Sequence, residues 1–172
     1  MFRPLSIPAL DIFQVRDFRN LWLARTIHEV SRRMELLVLG YLIFDLTDSA
    51  FQVGLIAVFL NAPRPALSLF AGLIADRLDR RRVLVGVHAS YVIIAAILLV
   101  LLLTGNIHPW YVFIAILIQG IAKVLDDPSR RTAIFDLAGQ DRIANAMSLE
   151  AMTNNFGKIL GPLAGGVLIR LI

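Results

Sequence analysis

The chain has 172 residues, 58% of them hydrophobic, with a formal net charge of +4 and no cysteine. A soluble domain carries about 45–50% apolar residues; the excess here lies in runs of about 20, the length that crosses a ~30 Å hydrocarbon core, so the pattern is that of an all-α, polytopic helical membrane protein. The lack of cysteine excludes disulfides, thiolate catalysis and Cys-ligated metals, and no aromatic–basic alternation or zinc spacing supports nucleic-acid binding.

Residues 1–17 read as a cytoplasmic N-terminal segment. Pro4, Pro8 and Asp11 interrupt any signal-peptide core, and Phe2, Leu5, Ile7, Leu10, Ile12 and Phe13 suit a short lead-in resting in the membrane interface. The first span covers about 18–45 and is unusual, because Arg25, His28, Glu29, Arg32, Arg33 and Glu35 lie inside it. At 100° per residue all six fall within an arc of about 160°, with Ile27, Val30 and Met34 opposite. Each charge facing lipid would cost about 2.5–3.5 kcal/mol, so the arc is expected to face a bundle interior or a wet cavity. Glu29 is its expected hub, with Arg25 at i−4, Arg32 at i+3 and Arg33 at i+4.

Asp45-Leu-Thr-Asp48-Ser49 makes a short turn. The second span, about 50–76, is interrupted by Pro63-Arg64-Pro65, which removes two backbone donors and bends the helix. Arg64 is expected to donate to the freed carbonyls or to a carboxylate on a neighbouring helix. A basic turn follows, within Gly72-Leu-Ile-Ala-Asp76-Arg77-Leu-Asp79-Arg80-Arg81-Arg82-Val-Leu84. The third span, about 83–104, has no polar face and is expected on the bundle periphery against lipid. Trp110 and Tyr111 follow the turn Gly105–Pro109, where interfacial aromatics anchor a helix. The fourth span, about 109–135, is apolar until Gln119, Gly120 and Lys123, then meets Asp126, Asp127, Pro128 and Arg130. A polar linker over 136–142 holds Gly139, with Asp141 placed to cap the next helix. The fifth span, about 142–170, carries Glu150, Asn154 and Lys158, and then Gly157-x3-Gly161-Pro162-x2-Gly165-Gly166, a smooth stripe that lets another helix approach closely.

Orientation follows from the arginines. Residues 1–19 have three (Arg3, Arg16 and Arg19), the 77–82 turn four and the 130–142 segment three, while the 45–49 and 105–109 turns have none. Arginine-rich loops stay inside, so the N-terminus and the 77–82 turn are expected in the cytoplasm.

The Gly72–Leu84 stretch resembles the signature loop between helices two and three of major facilitator superfamily transporters, a pattern of the form G-x-L-a-D-r-x-G-r-r-x-x-l. Ile74 replaces the pattern's Leu, and Asp79 replaces its second Gly, as is familiar in the bacterial exporter branch that includes the enterobactin exporter. The glycine stripe of the fifth span looks like the motif of drug/proton antiporters. Asp17-Phe-Arg19-Asn-Leu-Trp22, Pro128-Ser-Arg130-Arg131 and Arg142-Ile-Ala-Asn145 fit the same branch. One departure stands out: the antiporter pattern has an Arg three residues before Gln119-Gly120, and here that place is Ile116.

The resemblance implies two six-helix halves rocking about a central site. Helices one and four would line the cavity, helices two and five would meet the other half, and helix three would face lipid. On that basis 18–172 is expected to be a partial N-terminal half, an incomplete N-domain with its C-terminal partner half missing. Alone it would expose both the glycine stripe and the polar arc. The implied function is secondary active export of a drug, siderophore or lysolipid, in the inner membrane, with no cofactor beyond a proton or other ion gradient. A non-transporting truncated membrane protein or assembly partner is the alternative. No Ser/His/Asp grouping, His-x-x-x-His pair or phosphate-binding loop marks an enzyme.

Three candidate sites result. Gly72, Asp76, Arg77, Arg80, Arg81 and Arg130 would form a cytoplasmic gate, or merely a topology anchor. Glu29, Arg25, Arg32, Arg33, Lys123, Asp126 and Glu150 would line the cavity and bind substrate or a proton, or form an internally paired structural network. Gly157, Gly161, Pro162, Gly165 and Gly166 would be a helix-packing face. His28, His88 and His108 lack metal-ligand spacing.

Overall fold

The computed structural model describes residues 16–67, 80–138 and 143–171. Among these residues five long helices form: α1 (Arg16–Thr47), α2 (Ala50–Asn61), α3 (Arg80–Leu103), α4 (Pro109–Ala138) and α5 (Ile143–Leu171). The described residues are helical with short turns and no strand. Segments long and apolar enough to cross a bilayer lie at Ala50–Leu67, Arg82–Leu103 and Pro109–Arg130. Helices α1 and α5, of 32 and 29 residues, have the length as well, but charge interrupts their apolar runs. The fold is that of a helical membrane protein.

Local chemistry sets the boundaries. The turn after α1 places Asp48 at φ 48°, a left-handed conformation that Asp tolerates better than most side chains. Ser49 then caps α2, its hydroxyl accepting from the Gln52 amide at 3.4 Å. Helix α2 stops at Asn61, just before Pro63, and residues 63–67 resume helical geometry after Ala62. The proline pair therefore breaks the helix without ending the span. Helix α4, in contrast, continues past Pro128. Gly105, at φ 70°, makes the left-handed turn between α3 and α4 that a side chain would strain.

The helices divide into two compact units, whose boundaries fall within α1 and α4. The first comprises Met1–Val38 and Ala133–Ile172. Its centre is α1 against α5, where Leu21 and Trp22 pack on Ile134, Ala146 and Leu149. Along α5 the i+4 row Leu149, Thr153, Gly157, Gly161, Gly165 follows α1 in parallel. Trp22 donates through Nε1 to the Leu149 carbonyl at 3.4 Å, and the Thr26 and Thr153 hydroxyls lie 3.3 Å apart. A Cβ at Gly157 would stand 2.5 Å from Glu29 Cγ, and one at Gly161 would overlap Arg33 Cβ and crowd the Val30 carbonyl. One at Gly165 would meet Leu37 and Met34, whereas Gly166 faces open space. Three of the four glycines are thus a close-approach face, and it is buried against α1. This corrects the expectation that the stripe would lie exposed. It also corrects the reading of Val30 and Met34 as a back face, since both touch α5; Ile27 remains 68% exposed.

The second unit comprises Leu39–Thr132. Its core includes Leu39, Ile43, Val112, Phe113 and Ile116, and Phe59 stacks on Phe113 with ring centroids 5.2 Å apart. Gly120 lets α4 approach α2, because a Cβ there would stand 2.6 Å from the Leu60 carbonyl oxygen. Helix α3 runs antiparallel to α4 and, among the described residues, buries Val87, Tyr91, Ile94 and Leu98 along one edge. Val85, Val92, Ile93, Ile97 and Val100 are exposed.

Candidate functional site

Two charge clusters stand out, one in each unit. The first is built on α1. Glu29 is 3% exposed and accepts from Arg33 Nε at 2.9 Å and from Arg25 Nη1 at 3.0 Å, one turn above and one below. Arg25 reaches across to α5, where its Nε lies 3.4 Å from Glu150 Oε1. The chain Arg33–Glu29–Arg25–Glu150 thus ties the two helices at the level where Thr26 meets Thr153. Arginine suits this position because its forked donors can serve two carboxylates at once.

Arg32 departs from the expected pattern. It makes no ion pair with Glu29, although it lies three residues on. Its direction explains this: it projects about 60° further round α1 than Glu29, away from the side that meets α5. It is 7% exposed, and its Nη1 is buried without a hydrogen-bond partner among the described residues. A buried donor left unpaired costs roughly 1–3 kcal/mol, more when charged. The polar arc of α1 is therefore enclosed at Glu29 and Arg32, which corrects the expectation that it would stand exposed.

The second cluster joins α2 to α4. Arg64, between its two prolines, donates through Nη2 to Asp127 Oδ2 at 2.6 Å, so of the two expected partners the carboxylate is the one used. Arg130 bonds Asp127 Oδ1 at 3.0 Å and also pairs with Asp126 one turn back. Asp126 and Ser129 are both buried, and the Asp126 Oδ1 and Ser129 Oγ have no partner among the described residues. Lys123, half-buried on the same helix, belongs to this unit. Ile116, in the place of the antiporter pattern's arginine, is fully buried.

Of the expected site residues, Arg25, Glu29, Arg33 and Glu150 come together, with Arg32 beside them on α1. Arg130 joins Asp126 and Asp127. Pro162 lies inside α5 next to Gly161. Gly72, Asp76 and Arg77 lie outside the described residues, while Arg80 and Arg81 open α3. Sequence reasoning missed Trp22, Thr26 and Thr153, which pin α1 to α5. A signal existed, since Thr153 extends the glycine row one step back at i−4. It also missed the backbone contact of Gly120, for which no pattern in the sequence names the neighbour.

The family model described as transmembrane secretion effector matches residues 8–172. The chain belongs to this family of major facilitator superfamily transporters. It is 27% identical over 134 residues to the Staphyloferrin A transporter of Staphylococcus aureus (strain NCTC 8325 / PS 47), covering 77% of this chain and 34% of that protein. It is 27% identical over 136 residues to the uncharacterized MFS-type transporter YfiS of Bacillus subtilis (strain 168), covering 78% and 31%. The chain thus spans about a third of the length of the curated relatives it matches. No solved structure matches it. A family of transporters, not of enzymes, is the frame in which the two charge clusters are understood.

Proposed function

We propose that the chain is the N-terminal portion of a secondary active exporter of small amphipathic compounds, a drug, siderophore or lysolipid, working by alternating access. Five spans, with α1 and α5 among them, would cross the inner membrane with the N-terminus in the cytoplasm. A second half would complete the cavity. The observation that carries the proposal is the charged face of α1: a carboxylate held by two arginines, beside an enclosed guanidinium with an unpaired donor. Charge inside a membrane helix is retained where it lines a substrate or proton path. Arg32 would receive an anionic or zwitterionic group of the substrate, and Glu29 would release its arginines when it takes a proton. The Asp126–Arg130–Asp127–Arg64 cluster would brace the helices around the break in α2. Outward direction accords with the family's description as a secretion effector.

The test is transport of candidate substrates by the full-length protein in inverted vesicles, with and without an imposed proton gradient. Gradient-dependent accumulation of an amphipathic anion is expected. Equal accumulation in vesicles lacking the protein would overturn the proposal. A non-transporting assembly partner would give that second result.

A further inference from the structure

The seam between α3 and α4 in the second unit carries a second kind of site. A groove of about 340 Å³ runs between the two helices in the second unit. Val87 and Ala122 form its floor, within a packed cluster that also holds Tyr91. Gly86 and Ser90 line it from α3, and Ile118 and Ile121 from α4. The groove exists because small residues stand where large ones would close it: a Cβ at Gly86 would meet nothing within 4 Å. Glycine within a helix costs roughly 0.5–1 kcal/mol relative to alanine, and no close helix contact accounts for it here. Ser90 leaves the wall apolar, because its hydroxyl is spent on the Val87 carbonyl at 2.7 Å. At the end nearest the start of α3 the lining changes character, to the exposed Arg82. Arg77, Arg80 and Arg81 precede it in the chain, so four of six consecutive residues are arginines.

A slot with apolar walls, opening at one end on positive charge, fits one chemistry. We propose that this groove binds an anionic phospholipid, with an acyl chain along Gly86–Val87–Ser90 and the phosphate at Arg82. The length supports this: residues 82 to 90 span about 12 Å along the helix, the depth from a headgroup into the upper half of an acyl chain. A second apolar cavity of about 190 Å³ continues the same seam past Ile118 toward Leu101 and Tyr111, giving the chain a path onward. Arginines at a membrane surface attract anionic lipid, and the arginine count puts this end of α3 in the cytoplasmic leaflet. The site does not depend on the transport reading.

The experiment is native mass spectrometry of the purified full-length protein in detergent, with equal amounts of phosphatidylglycerol and phosphatidylcholine of identical acyl chains. Preferential retention of phosphatidylglycerol is expected. Arg82→Gln should lower that preference about fivefold and leave phosphatidylcholine binding unchanged. Gly86→Leu, which fills the slot, should reduce retention of both lipids. Ile121→Trp is a second filling variant should Gly86→Leu fail to fold. Arg19→Gln, an exposed arginine on α1, should change nothing. Equal retention of the two lipids by the unaltered protein would overturn the proposal, as would an equal loss of preference in Arg19→Gln and Arg82→Gln. So would undiminished retention in a folded filling variant.

Discussion

Glu29 holds two arginines on its own helix and, through Arg25, a third group on α5. Removing its charge would leave Arg25, itself well buried, with only Glu150, and would leave Arg33 with no carboxylate in this cluster. Breaking a buried ion pair from one side costs about 3–5 kcal/mol. Glu29→Gln is therefore expected to destabilise the protein by about 3 kcal/mol, read as a shift in its unfolding midpoint in mixed micelles. Glu150→Gln should cost less, because Arg25 keeps Glu29. Arg64 offers the contrast. Its side chain is 56% exposed, so solvent screens its bridge to Asp127, and Arg64→Ala should cost under about 1 kcal/mol in the same measurement. If Arg64→Ala destabilised as much as Glu29→Gln, the ranking of these two clusters by burial would be wrong.

Among elements, the α1–α5 pair makes the sharpest prediction, because its four glycines are not equivalent. At Gly161 the obstacle is a Cβ and backbone of α1, which cannot swing aside, so Gly161→Ala should cost roughly 1–3 kcal/mol by overpacking. Gly166 faces open space, and Gly166→Ala should be neutral or stabilising by roughly 0.4–1 kcal/mol. Paired unfolding curves check this, and equal effects would contradict the packing described for the stripe. The same helices show what was legible in the sequence. The apolar run of α3 was legible in its sequence, and the break in α2 followed from Pro63 and Pro65. The pairs of Glu29 with Arg25 and Arg33 followed from one-turn spacing. That the glycine stripe meets α1 was not legible, because a smooth face says that a helix approaches but not which one. Glu150 becomes a partner of Arg25 only through that contact. Arg32 was read as a third partner of Glu29 because i+3 spacing allows it, and it departs because its side chain leaves α1 in another direction.

For the whole molecule, the proposed orientation can be checked directly, since the chain has no cysteine to interfere. Asn106, exposed in the turn before α4, should, as Asn106→Cys, react with a membrane-impermeant maleimide in intact cells. Arg19→Cys should react only after permeabilisation. The reverse pattern would invert the topology and move the lipid groove to the other leaflet. With the second half present, the enclosed face of α1 is proposed to bind the anionic group of the substrate through Arg32. A charged hydrogen bond contributes about 1.5–3 kcal/mol, so losing it from a bound anion should slow transport by roughly tenfold or more. The most direct measurement is the initial rate of gradient-driven uptake of an anionic amphipathic probe into inverted vesicles, comparing the full-length protein with its Arg32→Gln and Arg32→Lys variants at matched helical content. A loss of at least about tenfold is expected for Arg32→Gln, with partial recovery in Arg32→Lys. Unchanged uptake by a folded Arg32→Gln protein would contradict it.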